Sequence, residues 1–352
     1  MIVADATGFD AAPQHGPRPL PLFLSMLRSE TAASPDRYAA ALKGLQAYQQ
    51  ATRTALPPPM PALHAVGRAC LRDYGGTGRP LIFIPSLINP PDILDLGEER
   101  SMLRWFARRG MRPLLLDWGY PHHEDRHLDL AAHVERLVVP LIAALDAPPV
   151  LIGYCLGGTI AIAGASLTGV AGVATIAAPW HFSGYGAARE PMQALWRQAR
   201  AGCEALGLVP MEVLQAGFWQ LDPARTIAKY EAFAALPSDS AAAQAFVRLE
   251  DWANAGAPLP FAVGESLFES LITDDLPGRG AWRIRGKIVG PAALRCRAIE
   301  FVSSTDRIVP AATAAGLEAR HDLSIGHVGM IVGSRARDAL WAPLADWIDS
   351  LG

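Results

Sequence analysis

Cys155 is the residue of this sequence best placed to do covalent chemistry. It stands in the run Gly153-Tyr154-Cys155-Leu156-Gly157-Gly158, between a strand-like segment at residues 149–153 and a helix-like segment at residues 156–167. Glycines on both sides of a reactive residue are typical of a nucleophile elbow, a turn so tight that a side chain at Gly153 or Gly157 would collide with the adjoining strand or helix. The N–H groups and dipole at a helix start favour the thiolate, which attacks carbonyl carbon. The pattern predicts a nucleophilic cysteine; the alternative is a small apolar residue that lets a helix approach a sheet closely.

A thiol nucleophile needs a base and a carboxylate that orients the base, and candidates for both occur downstream. Asp306 lies in Ser303-Ser304-Thr305-Asp306-Arg307-Ile308-Val309-Pro310, and His327 lies in Ser324-Ile325-Gly326-His327-Val328-Gly329. Each follows a predicted strand, and the chain order of nucleophile, acid and base is that of the α/β-hydrolase fold. We therefore predict Cys155, Asp306 and His327 as the catalytic residues. The alternatives are a helix cap or a partner for Arg307 at position 306, and an ordinary histidine at position 327.

The tetrahedral intermediate of acyl transfer also needs two N–H donors that form an oxyanion hole. We expect the first from Leu156, directly after the nucleophile, and the second from Ser86 or Leu87, after a predicted strand at residues 80–85. Prolines restrict this loop, which suits a preorganised donor. The alternative is a plain strand-to-helix connection.

The elements that must position these residues alternate between strand and helix beyond residue 78, as in a parallel sheet with helices on both faces. Strands are predicted at residues 80–85, 113–117, 149–153, 170–177, 298–303 and 321–323. Helices are predicted at residues 98–109, 128–145, 156–167, 311–318 and 336–351. The predicted class is α/β, with a catalytic domain at residues 62–352, a helical, aromatic-bearing cap inserted at about residues 180–290, and an N-terminal helical arm at residues 1–61 with helices at 20–27 and 38–54.

Composition narrows the function classes. Of the 352 residues 51% are hydrophobic and 18% charged, and the net charge of -3 gives no general reason to expect nucleic acid as a partner. Prolines and glycines interrupt the most apolar regions, so we expect no transmembrane segment. The scattered cysteines indicate neither zinc nor disulfides and are typical of a reducing cytoplasm. We expect no metal and no cofactor: His122 and His123 are interpreted as part of a solvated loop, although they resemble a run of metal ligands.

Several motifs together carry a family resemblance. Ile88-Asn89 is followed by Ile93-Leu94-Asp95-Leu96, Leu115-Leu116-Asp117-Trp118-Gly119, the cysteine elbow and the segments around Asp306 and His327. From about residue 79 to the C-terminus this set resembles the polyhydroxyalkanoate synthases, particularly the shorter members that work with a second subunit. The elbow alone is also similar to dienelactone hydrolases.

The resemblance implies a role for each matching residue. The matching cysteine carries the growing acyl chain, the matching histidine activates the thiol, and the matching aspartate assists attack by the substrate hydroxyl. It further implies a 3-hydroxyacyl-CoA substrate, a homodimer or a second synthase subunit, a polymer granule surface and a cytoplasmic location.

Three hypotheses about function follow. The first is a cysteine-dependent acyltransferase of the synthase type. The second is a Cys-triad hydrolase of esters, lactones or thioesters, which has the same catalytic residues and differs in the access of water. The third is a catalytically silent, granule-associated or partner subunit, and the intact set of Cys155, Asp306 and His327 argues against it.

Overall fold

The computed structural model describes residues 16–53 and 57–352, so residues 1–15 and 54–56 of the predicted N-terminal arm lie outside the described residues. The strands, in chain order, are β1 (Ala62–Val66), β2 (Ala69–Asp73), β3 (Pro80–Ile84), β4 (Arg112–Asp117), β5 (Val150–Tyr154), β6 (Gly172–Ile176), β7 (Leu208–Val209), β8 (Leu259–Pro260), β9 (Arg283–Ile284), β10 (Lys287–Ile288), β11 (Arg297–Ser303) and β12 (Ala319–Leu323). The α-helices are α1 (Leu20–Glu30), α2 (Pro35–Gln50), α3 (Met102–Arg108), α4 (Leu130–His133), α5 (Val139–Ala143), α6 (Leu156–Ala165), α7 (Arg189–Leu206), α8 (Met211–Leu221), α9 (Pro223–Phe233), α10 (Ala241–Ala253), α11 (Phe261–Glu265), α12 (Gly329–Val332) and α13 (Ala342–Asp349). π-helical turns at Val134–Val138 and Arg337–Trp341 complete the predicted helices at 128–145 and 336–351.

The main sheet has the strand order β1-β2-β4-β3-β5-β6-β11-β12. Its strands pair in parallel from β4 to β12, while β1 and β2 are antiparallel additions at one edge. The central strands β3, β5 and β6 are buried along their whole length, because helices and loops cover a parallel sheet. The predicted α/β class with a mostly parallel sheet is confirmed.

The strand order determines where a site can form. The chain runs from β3 to β4 on one side and then crosses to β5 on the other side of β3. Ligands of open α/β sheets bind at such a switch point, beyond the carboxyl ends of the strands. The loop after β3 holds Ser86 and Leu87, and the turn after β5 holds Cys155. Two predicted parts of the site therefore lie at the switch point.

Two local features differ from the sequence prediction. Strands β1 and β2 form a hairpin through Gly67, which has a φ of +57°; β1 is largely exposed and so lacks the apolar alternation that marks a strand. The predicted helix at residues 311–318 is wrong, since only Ala311–Thr313 forms a 3-10 turn. The carbonyl of Thr313 accepts N–H groups of two residues after β6, and the buried carboxylate of Glu300 accepts the N–H of Gly316. These tertiary hydrogen bonds hold the backbone groups that a helix would have paired.

Residues 16–53 and 222–255 form one compact unit, which contains α1, α2, α9 and α10. Gly44 lets α2 approach α9, because a Cβ at this position would lie 2.0 Å from the carbonyl oxygen of Tyr230. The hydroxyl of Tyr48 donates to Asp251 at 2.6 Å, and that of Tyr230 donates to Glu250 at 2.9 Å. Several aromatic residues of the predicted cap thus belong to this helical unit.

Residues 57–221 and 256–352 form the second compact unit, which contains the main sheet and all of the predicted site residues. The predicted limits of the arm and of the cap stay predictions. Within the described part of the chain, no helix is both long enough and apolar enough to cross a membrane.

Candidate active site

The turn between β5 and α6 holds Cys155 in a backbone conformation that side chains rarely adopt, with φ 56° and ψ −131°. Such a residue costs of order 1–3 kcal/mol and persists only where its surroundings enforce it. Here the N–H of Cys155 donates to the carbonyl of Ile176 at 2.9 Å, and the N–H of Gly158 donates to the carbonyl of Cys155 at 2.8 Å. The side chain is partly buried. The turn therefore presents a thiol at the start of a buried helix.

The two predicted elbow glycines are places where the backbone has no room for a side chain. A Cβ at Gly153 would lie 2.4 Å from the Cα of Gly158, and a Cβ at Gly157 would lie 2.0 Å from the carbonyl oxygen of Ile84. Real Cβ contacts do not occur at such distances. The absence of side chains allows α6 to begin directly against the end of β3, as the tight-turn argument predicts.

The loops after β11 and β12 bring Asp306 and His327 together. The Nδ1 of His327 donates to Oδ2 of Asp306 at 2.6 Å. The other carboxylate oxygen, Oδ1, accepts the N–H groups of Ile308 and Val309 at 2.8 and 3.0 Å. Tyr154 stacks on the imidazole, with ring centroids 4.9 Å apart, and its hydroxyl donates to the carbonyl of His327 at 3.3 Å. The imidazole is therefore oriented from its edge and from its face.

The side chain of Cys155 acts on the imidazole of His327 from the elbow. Burial by itself lowers the pKa of His327, but the charge of Cys155 and the hydrogen bonds to Asp306 and Cys155 outweigh burial and raise this pKa to about 10. The raised pKa makes the imidazole of His327 a stronger base beside the side chain of Cys155. Burial, with smaller contributions from Cys155 and Asp306, also raises the pKa of Tyr154, which keeps its hydroxyl protonated as a donor.

The predicted oxyanion donors lie on both sides of the elbow. Leu156 is the first residue of α6, so its N–H is one of those that an α-helix leaves without an intrahelical partner. Ser86 and Leu87 are buried in the loop after β3, and the hydroxyl of Ser86 accepts the N–H of Ile88 at 3.2 Å. Because α6 begins against the end of β3, the two segments are adjacent. Their role as donors stays a prediction.

A cavity of about 100 Å³ begins at Cys155. Apart from the thiol and one phenol, the side chains that line it are apolar. They belong to the elbow, to the loop after β3, to the segment after β6, to helices α7 and α8, to the π-helical segment Ser266–Thr273 and to the loop of Asp306: Ile88, Leu156, Pro179, Phe182, Tyr185, Met192, Leu195, Leu214, Gly217, Phe218, Leu221, Leu267, Phe268, Ile272, Ile308 and Val309.

The other three cysteines have different surroundings. Cys70 and Cys203 are buried, and Cys296 is partly buried. Burial raises the pKa of all three thiols. These thiols are thus held in the unreactive protonated form, whereas Cys155 has a base beside it.

The histidine-rich loop after β4 is exposed, and two of its histidines contact an arginine of the same loop. The Nη1 of Arg126 lies 3.1 Å from Nε2 of His123, and the Nε of the same arginine donates to Nε2 of His127 at 2.9 Å. Among residues 16–53 and 57–352, no three His, Cys, Asp or Glu side chains are grouped so that they could hold a metal ion.

Sequence reasoning missed three residues that shape the site. Tyr154 lies inside the elbow motif and could have been noticed there, because a strand places alternate side chains on the same face. Trp118 donates from Nε1 to the carbonyl of Pro85 at 3.1 Å and so fixes the start of the loop that carries Ser86. Tyr185 lines the cavity, and no spacing in the sequence indicated it.

Comparison with known proteins assigns the chain and its fold to a family. The family model described as "Alpha/beta hydrolase family" matches residues 100–342, and the chain belongs to that family. A solved structure, the epoxide hydrolase of Bacillus megaterium in complex with an inhibitor, aligns with a TM-score of 0.52 at 14% identity over 81% of this chain and 99% of that chain.

Within this class, curated relatives are polymerases. The chain is similar to the poly(3-hydroxyalkanoate) polymerase subunit PhaC of Haloferax mediterranei, with 27% identity over 76% of this chain and 58% of the relative. It is likewise similar to the subunit of that name from Haloarcula marismortui, with 28% identity over 76% of this chain and 60% of the relative. The chain thus spans about 60% of the length of these relatives. The family resemblance predicted from the motifs is confirmed.

Proposed function

We propose that this chain is a cysteine-dependent acyltransferase that polymerises 3-hydroxyacyl groups from CoA thioesters, in the manner of polyhydroxyalkanoate synthases. The observation that carries the proposal is the hydrogen-bonded pair of His327 and Asp306 beside Cys155 at the elbow. The relatives named as polymerase subunits support this reaction class.

In the first half-reaction the thiolate of Cys155 attacks the carbonyl carbon of the incoming CoA thioester. The N–H of Leu156 and that of Ser86 or Leu87 stabilise the oxyanion of the tetrahedral intermediate. The bond between the acyl carbon and the sulfur of CoA then breaks, and the departing thiolate takes a proton from His327. The acyl group remains on Cys155 as a thioester, which conserves the activation of the substrate.

In the second half-reaction the hydroxyl of another 3-hydroxyacyl group attacks the acyl carbon on Cys155. Nε2 of His327 accepts the hydroxyl proton, an ester bond forms, and the thiolate of Cys155 is released. The side chain of Asp306 has 0% exposed surface, and both of its oxygens are hydrogen-bonded. This supports a role in which Asp306 orients His327 and stabilises its protonated form, while the imidazole of His327 exchanges protons with the substrate.

The cavity supports a short acyl group as the substrate. Its volume of about 100 Å³ lies below the roughly 300–1,000 Å³ of pockets that enclose drug-sized ligands. Its apolar lining, contributed in part by Met192 and Phe218, excludes charged groups from the space next to the thioester. We therefore propose 3-hydroxybutyryl-CoA as a better substrate than thioesters with a medium-length chain.

The relatives' names call them subunits. We propose that this chain too acts in an assembly, either as a homodimer or with a second synthase subunit, at the surface of the polymer granule that it makes.

The test is an assay of the purified chain with 3-hydroxybutyryl-CoA and 3-hydroxyoctanoyl-CoA that follows released CoA, the acyl product and the mass of the intact protein. We expect acyl-enzyme and polymer from the shorter thioester, and neither from the Cys155→Ala variant. Soluble 3-hydroxybutyrate in place of polymer would assign the site to a Cys-triad hydrolase. CoA release that persists in Cys155→Ala would refute the covalent mechanism.

A further inference from the structure

Tyr185 contributes a polar group, its phenol hydroxyl, to the lining of the cavity, in addition to the thiol of Cys155. Among the described residues that line the cavity, only Tyr185 carries a hydroxyl, and the others except Cys155 are apolar. The described part of the chain offers this hydroxyl no hydrogen-bond partner, whereas the hydroxyls of Tyr154 and Tyr230 each have one. Polar groups inside a protein are normally paired. Tyr185 is half-buried and lines the cavity, so its hydroxyl is available to pair with a ligand that enters the cavity.

Tyr185 lines the same cavity as Cys155 and as Ile308 and Val309, which follow Asp306 in its loop. Burial raises the pKa of Tyr185, and the charges of Cys155 and Asp306 raise it further. The phenol consequently stays protonated and is able to donate and to accept a hydrogen bond.

Backbone hydrogen bonds to Asp275 fix the segment that precedes Tyr185. The carboxylate of Asp275, which is itself buried, accepts the N–H of Phe182 at 2.8 Å and that of Ser183 at 3.1 Å. The ring of Phe182 lies beside that of Tyr185, with centroids 6.1 Å apart. A donor fixed in this way discriminates between ligands better than a mobile side chain, because no ordering cost opposes the hydrogen bond.

We propose that the hydroxyl of Tyr185 hydrogen-bonds the 3-hydroxyl of the acyl group at Cys155 and thereby selects 3-hydroxyacyl over unsubstituted acyl thioesters. The inference rests on the proposed function, because it requires an acyl thioester at Cys155. The 3-hydroxyl lies two carbons from the reacting carbonyl carbon, so it enters the cavity immediately beyond the thiol. An apolar lining cannot pair this hydroxyl, and an acyl group without it leaves Tyr185 unpaired.

The test compares the wild type with Tyr185→Phe, which retains the ring and its contact with Phe182. The rate of acylation of Cys155 is measured by rapid-quench intact-protein mass spectrometry with 3-hydroxybutyryl-CoA and with butyryl-CoA. We expect the wild type to react about tenfold faster with the hydroxylated thioester, the effect of one neutral hydrogen bond. In Tyr185→Phe this preference should disappear through a loss of about tenfold on 3-hydroxybutyryl-CoA, with less than about a twofold change on butyryl-CoA.

Tyr120→Phe serves as the matched control, because this tyrosine is 71% exposed and does not line the cavity. Equal wild-type rates on the two thioesters, or a preference unchanged in Tyr185→Phe, would overturn the inference. Equal losses of the acylation rate with both thioesters would also overturn the inference, because the hydroxyl of Tyr185 would then act on the thiol of Cys155 and not on the 3-hydroxyl of the substrate. No acyl-enzyme from either thioester in the wild type is a different result, which refutes the proposed function itself.

Discussion

Replacing Asp306 by Asn tests how the carboxylate acts, because the structure predicts which way the new amide will face. Oδ1 of Asp306 accepts two backbone N–H groups, from Ile308 and Val309, so the amide oxygen of Asn must take this position. The NH₂ group then faces Nδ1 of His327, which becomes an acceptor. The proton moves to Nε2, and the imidazole can no longer take a proton from the thiol or from a substrate hydroxyl.

The expected loss is large. A wrong imidazole tautomer of this kind reduces turnover by about 1,000- to 10,000-fold, or about 4 to 5.5 kcal/mol of transition-state stabilisation. Because His327 serves both half-reactions, we expect acylation of Cys155 and steady-state CoA release to fall by similar factors.

The assay is rapid-quench mass spectrometry of Asp306→Asn with 3-hydroxybutyryl-CoA beside the steady-state rate. Glu300→Gln is the matched control. It neutralises a different buried carboxylate, which lies in β11, accepts the N–H of Gly316 and does not line the cavity. If acylation stays fast and acyl-enzyme accumulates, Asp306 acts on the substrate hydroxyl as the family resemblance implies, and the orienting role is refuted.

Three further predictions concern reactivity, the elbow and pH. Iodoacetamide should label Cys155 before the other three cysteines, because burial raises the pKa of those thiols; equal labelling in peptide maps would contradict an activated thiolate. Gly157→Ala should destabilise the protein by about 3 kcal/mol or more, as the added Cβ would lie 2.0 Å from a backbone oxygen. Denaturant unfolding checks this against Gly202→Ala in α7, where no atom lies within 4 Å. Burial is the main reason that the pKa of His133 is lowered to about 4. The buried neutral imidazole therefore contributes stability that is fully present above pH 6.5 and is lost as the pH falls toward 4. At pH 5 the free energy of unfolding should be lower by about 2 kcal/mol for this reason. The free energy of unfolding at pH 7 and 5 should show this loss in the wild type and a smaller loss in His133→Gln, and equal losses would count against the assignment.

The elbow and the loops of the acid and base could be predicted because their requirements are local. A turn with glycines on both sides of a cysteine has few other structural uses, and a parallel sheet places loops after neighbouring strands at one edge. Since β11 and β12 are adjacent and parallel, Asp306 and His327 meet once their strands are known.

The features that could not be predicted depend on partners distant in the chain. The alanine-rich residues 311–318 favour a helix by propensity, but hydrogen bonds from the segment after β6 and to Glu300 hold that backbone in another conformation. The position of Tyr185 depends on Asp275, a residue from another part of the chain. Aromatic residues of α9 and α10, which lie in the segment predicted as a cap, pack with Tyr48 of α2. Periodicity shows that a helix face is buried and not which element covers it.

The turn at Cys155 also has a consequence for evolution. The hydrogen bonds that hold it use the backbone N–H and carbonyl of Cys155, and the side chain takes no part in them. A change of nucleophile at this position, such as Cys to Ser, which single-base mutations accomplish, therefore leaves the hydrogen bonds of the turn intact. Selection for folding and selection for the leaving-group chemistry act on different atoms of the same residue, so a lineage with this turn can exchange a thioester intermediate for an oxygen ester without first rebuilding its sheet.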